Sequence, residues 1–305
     1  MRIHSTVRRT AMMMSAAALV AAAGCGGGSD DPTVTTSTPA AGKFASQDAT
    51  IAAAVPAALR TKRTLIAGTD GAYAPNEFID TDGRTIIGMD VDLITAVAEV
   101  MGLKVQMQKT SFDAIIPGLK GGRYDLGVSS FTDNKDREKI VDFVTYYKSG
   151  TAFFVNTAGG PDIKTLGDLC GHIVGLQKGT TQEADAKKQS TTCTMAGKPK
   201  VDVRSFPDQN AANLALKSKR VEVSMADSPI AAYQVKQSHG VFKLSGDLYG
   251  TAPYGFAIPK DNGLAQPMLD ALKKLMADGV YLNILKKWGL EAGAITDPVI
   301  NGALS

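Results

Sequence analysis

Three stretches decide the fold class: Thr64-Leu65-Ile66-Ala67-Gly68-Thr69, Asp90-Val91-Asp92-Leu93-Ile94-Thr95-Ala96-Val97-Ala98-Glu99-Val100-Met101-Gly102, and Val105-Gln106-Met107-Gln108. The first is a short apolar run ending at Gly, the pattern of a buried strand. The second sets Leu93, Ile94, Val97, Ala98 and Met101 at helical spacing, and Gly102 supplies a stop. The third reads as the next strand. Outward from these the alternation continues with a helix over 112–119 and a strand over 125–128. It restarts after Gly150: strands over 152–155, 173–176, 201–206 and 221–225 interleave with helices over 181–188, 209–217 and 230–237. A strand over 254–258 and two amphipathic helices, 266–277 and 281–288, close the pattern. Repeated strand–helix units predict an α/β fold with mostly parallel sheets, and a length of 305 residues suits two domains.

Composition narrows the function. Hydrophobic residues make up 44% and charged residues 21% of the chain, a globular profile that excludes wholly disordered, collagen-like and multi-pass membrane classes. There are 33 basic and 30 acidic residues, for a formal charge of +3. Arg2, Arg8 and Arg9 precede Cys25 and no acidic residue does, so without residues 1–24 the charge is zero. A neutral body argues against bulk electrostatic binding of nucleic acid. Beyond His4 the histidines are His172 and His239, and no Cys/His cluster has metal-ligand spacing. No metal and no cofactor is expected.

Residues 1–25 combine a basic stretch, an uncharged and largely apolar run from Ala11 to Ala23, and a small-residue boundary, Ala22-Ala23-Gly24-Cys25. The run is short for a bilayer span but suits the core of an export signal. Small residues directly before Cys resemble a bacterial lipobox, in which Cys25 is lipidated and residues 1–24 are removed; Ala22 stands where that pattern prefers Leu. Ordinary signal cleavage is the alternative, and Arg8-Arg9 leaves Sec and twin-arginine export both open. From Gly26 to about Gly42, Gly, Ser, Thr, Pro and Asp without apolar periodicity read as a flexible tether. Ile51, Val55 and Leu59 predict a short helix interrupted by Pro56, and the ordered body is expected to begin near Lys62. The expected divisions are a signal over 1–24 and a lipidated Cys with tether over 25–61. An exported compartment permits oxidation, so Cys170 and Cys193 are expected to form a structural disulfide rather than two buried thiols.

Several further stretches, in order, resemble the amino-acid-binding proteins of ABC importers, the family-3 bacterial extracellular solute-binding proteins. They are Gly68-Thr69-Asp70-Gly71-Ala72-Tyr73-Ala74-Pro75, Gly88-Met89-Asp90-Val91-Asp92-Leu93, Phe112-Asp113-Ala114-Ile115-Ile116-Pro117-Gly118-Leu119, and Gly122-Arg123-Tyr124-Asp125. Ser129-Ser130-Phe131-Thr132, Arg137, Val141-Asp142-Phe143, Gly179-Thr180-Thr181-Gln182, Met225-Ala226-Asp227 and Tyr254-Gly255-Phe256-Ala257-Ile258-Pro259-Lys260 follow. The resemblance spans roughly Thr64 to Gly289. It implies a two-lobed periplasmic-binding-protein-like α/β fold with two hinge crossovers and a central ligand cleft. Lobe 1 is then 62–150 plus 250–290, lobe 2 is 151–249, and 291–305 is a C-terminal tail. The crossovers fall near Ser149-Gly150 and Tyr249-Gly250, where glycine suits backbone rotation.

By the same resemblance, Arg137 offers a planar fork to an amino-acid carboxylate, helped by Thr132, Thr180 and Thr181; otherwise Arg137 forms a surface ion pair and Thr180 merely caps a helix. Gly179-Thr180-Thr181 precedes a predicted helix, whose free N–H groups favour an anion. Asp227 receives the ammonium, with Ser129 assisting and Ser130 adjacent, unless Asp227 only caps the helix after it. Tyr73 and Phe112 sandwich the ligand side chain, and Asp70 and Gln177 read its polar tip, which favours Arg, Lys or His and then Gln. Asn76 departs from the family, which has an aromatic there; Phe78 follows two residues on, so the apolar wall is expected to be rebuilt. Glu77 and Glu183 are cleft-adjacent candidates for the acid or base that an enzyme on this fold needs, each with a plainer reading, as a surface charge and as a first-turn helix charge. The expected function is extracytoplasmic binding of a polar L-amino acid, with the basic ones first among the candidates, and its delivery to an ABC permease, by a monomer held to the membrane through its lipid alone. The competing reading is a cleft enzyme on the same fold, such as a periplasmic dehydratase. A receptor's sensory domain is a third, and needs transmembrane helices.

Overall fold

The computed structural model describes residues 43–304 and the strand Thr35–Ser37. The leader, Cys25 and most of the expected tether lie outside the described residues. In chain order the structure runs β1 (Thr35–Ser37), α1 (Ala49–Ala54), α2 (Ala57–Lys62) and β2 (Thr64–Thr69). A small antiparallel sheet follows, of β3 (Ala72–Tyr73), β4 (Glu77–Ile79) and β5 (Ile86–Ile87). Then come α3 (Met89–Val100), β6 (Lys104–Lys109), α4 (Phe112–Lys120), β7 (Leu126–Gly127), α5 (Lys135–Glu138) and the long β8 (Val141–Asn156). The second half holds β9 (Ile173–Gln177), α6 (Thr181–Met195), β10 (Asp202–Phe206), α7 (Gln209–Lys217), β11 (Val223–Asp227) and α8 (Ser228–Gln237). The long β12 (Phe242–Pro259), α9 (Ala265–Ala277) and α10 (Val280–Trp288) end it.

Among the described residues the main sheet orders its strands β1-β6-β2-β7-β12-β8-β11-β9-β10. The strands that alternate with helices are parallel, β2 with β6 and β7 and β9 with β10 and β11, while β1 joins β6 antiparallel at the edge. The strands that join the lobes are antiparallel. β8 and β12 pair from Val141–Pro259 at one end to Asn156–Phe242 at the other and run through both lobes. The sheet is therefore mixed rather than mostly parallel, because the chain crosses between lobes as a two-strand ribbon. The register of that ribbon slips between Ser245 and Ala252, around Gly250, whose φ of +62° lies in the left-handed region that glycine enters without strain.

Leu93, Val97, Met107, Phe256 and Leu272 are wholly buried in the first lobe; Phe153, Val174, Leu176 and Val223 are in the second. Cys170 and Cys193 form a disulfide that ties the loop before β9 to the end of α6. Four expectations change. The packed body begins before Lys62: the backbone N–H groups of Phe44 and Ala45 donate to Glu99 at 2.7 and 2.9 Å, and Val55 is buried. Part of the expected tether, Thr35–Ser37, pairs antiparallel with β6. The strands foreseen at 152–155 and 254–258 are ends of β8 and β12, and the helix foreseen at 181–188 continues to Met195. The C-terminal tail is also bound, Ile300 bridging to Val144 and the Gly302 N–H donating to Asp133 at 2.7 Å.

Candidate ligand cavity between the lobes

The cavity at the lobe junction forms where strands end and helices begin. β2 delivers Asp70, β3 Tyr73, the N-terminus of α4 Phe112, the segment after β7 Ser129, Ser130 and Thr132, and α5 Arg137. From the other lobe β9 delivers Gln177, the start of α6 Thr180, Thr181 and Gln182, and β11 Asp227. Glu77 from β4 completes these walls. All eleven residues singled out as ligand-binding in the sequence line this one space, and Glu77 and Gln182 join them.

Arg137 is half-buried, with its guanidinium carbon 5.4 Å from both the Phe112 and Phe131 ring centres. It donates to the Thr132 carbonyl at 2.8 Å and, across the cleft, to the Gly179 carbonyl at 3.1 Å. Among the described residues it forms no ion pair, unlike an ordinary surface arginine. Burial lowers its pKa to about 10, against the pull of Asp227 and Asp133, and it stays charged at neutral pH. Phe112 stacks on Phe131 at 4.6 Å.

Asp227 precedes α8 but makes no side-chain cap bond to it. Its carboxylate instead accepts from the Tyr73 hydroxyl at 2.9 Å and the Gln182 amide at 2.8 Å. Burial raises its pKa, while donors including Tyr73 and Gln182, and Arg137's charge, oppose the rise. Asp70 is 3% exposed. Burial raises its pKa to about 7 even though Gln177 of the facing lobe donates to it. Tyr73–Asp227, Asp70–Gln177, Arg137–Gly179 and a 2.7 Å ion pair of Lys178 with Asp113 thus all span the two lobes.

Thr180 does cap α6, its hydroxyl accepting from the Glu183 N–H at 3.2 Å and donating to the Gln177 carbonyl at 2.7 Å. Glu183 is a first-turn charge of α6, paired to Lys187 at 2.7 Å. Glu77 is not a surface charge. It is wholly buried, with the Ser129 and Ser130 hydroxyls donating to its two oxygens at 2.8 and 3.1 Å. Asn76 is buried beside it and donates to Ser130 at 2.8 Å, while Phe78 packs edge-on against Trp288, so neither rebuilds the apolar wall. His172 pairs with Glu222 outside the cavity. Among the described residues no cluster of His, Cys, Asp and Glu has metal-binding geometry, and no helix is long and apolar enough to cross a membrane.

A family model for bacterial extracellular solute-binding proteins, family 3, matches residues 65–291, both lobes and the cavity between them. The chain belongs to this family. It is 36% identical over 255 residues to the arginine-binding protein ArgT of Corynebacterium glutamicum, covering 82% of each chain. An ancestral arginine-binding protein solved with arginine is 36% identical with a TM-score of 0.69, over 74% of this chain and 98% of that one. An ancestral arginine-binding protein has also been solved with glutamine, 35% identical with a TM-score of 0.69, over 75% of this chain and 99% of that one. The ancestral amino-acid-binding protein AncCDT-1, a precursor of cyclohexadienyl dehydratase, is 33% identical with a TM-score of 0.68, over 76% of this chain and 97% of that one.

Proposed function

We propose that this family-3 protein binds a free L-amino acid, preferentially a basic one, and presents it to an ABC permease for import. The observation that carries this reading is the opposed pair at the cavity walls. Arg137 in one lobe and Asp227 in the other are the complement of a zwitterion, each desolvated and bonded in place. A buried carboxylate and a buried ammonium must both find partners. Arg137 with Thr132, Thr180 and Thr181 takes the first; Asp227 with Ser129 and Ser130 nearby takes the second. Tyr73 and Phe112 hold the side chain, and Asp70 with Gln177 reads its end. Relatives named for arginine binding support a cationic ligand.

Calorimetric titration of variants tests the assignment. Stranding a buried charge costs about 2–5 kcal/mol. Arg137→Ala and Asp227→Ala are therefore expected to weaken every amino-acid ligand by about 30-fold or more. Asp70→Asn is expected to reorder the ligands, hurting arginine and lysine most. Full affinity in Arg137→Ala contradicts the carboxylate assignment.

A dehydratase-like enzyme is the alternative that the AncCDT-1 likeness keeps in view. It needs a positioned acid or base, and turnover of a prephenate-like compound by the purified protein distinguishes it from a binder. The exported setting of the family agrees with a leader over 1–24, and Cys25 is the proposed site of a lipid anchor for a monomeric protein. Radiolabelled fatty acid is expected to enter the wild-type protein in a bacterial host and to be absent from Cys25→Ser; label persisting in the variant rejects the anchor.

A further inference from the structure

Beneath the cavity lies a carboxyl cluster that the binding scheme does not use. Glu77 on β4 and Asp90 in the first turn of α3 are both wholly buried. Gly88 makes this placement possible: its φ is +138°, and a Cβ there would collide with the Asn76 carbonyl. The Ser130 hydroxyl lies 3.1 Å from a carboxyl oxygen of Glu77 and 3.1 Å from one of Asp90, and it already accepts from Asn76. One hydroxyl proton serves only one of those two contacts. The other needs a proton borne by a carboxyl group.

Charge leads to the same conclusion. Among the described residues neither carboxyl pairs with a lysine, arginine or histidine. The titratable groups facing Glu77 are Asp90, Asp70 and the Tyr73 and Tyr146 phenols; Asp90 faces Glu77 and the Tyr146 and Tyr147 phenols from β8. Two buried carboxylates so close cannot both ionise cheaply. Asp90 is the better-supplied anion, accepting from the Ser130 N–H at 2.7 Å and Tyr146 at 2.8 Å as well as facing the Ser130 hydroxyl. Burial and the charge of Asp90 push Glu77 well above the ordinary carboxylate range. The Ser129 hydroxyl extends the cluster to the cavity, donating to Glu77 and accepting from the Asp70 N–H at 3.2 Å. Asp70 in turn feels Asp208, Asp113 and Lys109.

We propose that Asp70, Glu77 and Asp90 form one proton store under the cavity, which a cationic ligand side chain discharges on binding and a neutral one does not. This rests on the reading of the cavity as an amino-acid site. A guanidinium in a desolvated space demands a full counter-charge, and the cluster supplies it by giving up a proton to solvent. Arginine affinity then rises with pH by up to about tenfold per unit where one proton is released, while glutamine affinity stays flat.

The test is calorimetry of the whole protein near pH 7 in buffers of different ionisation enthalpy, with L-arginine and L-glutamine as probes. The dependence of heat on buffer counts protons. Close to one released proton is expected for arginine and none for glutamine. Glu77→Gln, which imitates the neutral acid, is expected to at least halve the arginine count and to lower the preference for arginine over glutamine; Asp90→Asn is expected to act alike. Arginine binding without proton release, or an unchanged count in a folded Glu77→Gln or Asp90→Asn protein, overturns the proposal and leaves the binding site standing. No binding of any amino acid overturns both.

Discussion

Asp70 shows how one residue couples the site to stability. Its carboxyl is raised from the ordinary 3.8 to about 7 by burial. Between about pH 4 and pH 7 the native state therefore holds a proton that the unfolded chain has released, and stability falls as pH rises through that window. Asp70→Asn removes the effect while keeping an acceptor for Gln177. The variant is expected to be more stable than the wild type at pH 8, by about 2–4 kcal/mol in denaturant unfolding, with the gap closing at pH 4. A gap that is absent, or larger at pH 4, contradicts it. Asp70 was legible because the family resemblance covers the stretch that holds it, just beyond an apolar strand. Glu77 was legible as a cleft-adjacent acid but not as a buried one, because its burial depends on Ser129 and Ser130, more than fifty residues away in sequence. A sequence reading assigns an isolated Glu to solvent, which is where most are found. Gln182, now the amide holding both Asp227 and Thr151, stood inside a quoted motif without a role for the same reason.

At the scale of elements, strands flanked by helices were legible from period and punctuation, and β2 and α7 fall on their expected bounds. Longer elements were cut short where local chemistry and tertiary context disagree. β8 is buried along nearly its whole length, so it lacks the alternation that marks a strand, and Gly150 reads as its beginning when it is its middle. The last turns of α6, Gln189-Ser190-Thr191-Thr192-Cys193-Thr194, are poor in helix formers. There the Thr191, Thr192 and Thr194 hydroxyls bond back to preceding carbonyls, and Cys193 is fixed by the disulfide to Cys170. Closing a loop of this length contributes about 3 kcal/mol in the chain-entropy model. Cys170→Ser with Cys193→Ser is expected to lower the melting temperature by roughly 5–10 °C and to raise amide exchange most in the second half of α6. A melting temperature equal to the oxidised wild type's contradicts a stabilising role.

For the molecule as a whole, two lobes joined by β8 and β12 meet through groups from both walls of the cavity. Three of the cross-lobe bonds, from Tyr73 to Asp227, from Gln177 to Asp70 and from Arg137 to Gly179, engage residues expected to serve the ligand. Ligand binding and lobe contact therefore draw on the same side chains, so a ligand that satisfies Arg137 and Asp227 together favours the state in which the lobes meet. The resemblance made the two lobes and the crossovers legible, but not the packing of residues 43–62 and of the C-terminal segment onto the first lobe, since neither carries a motif. A crystal structure of the complex with L-arginine tests the central claim most directly. The expected complex has the α-carboxylate on the Arg137 guanidinium, the α-ammonium on Asp227 and the side chain directed to Asp70. A ligand bound in the reverse sense, or outside this cavity, contradicts it.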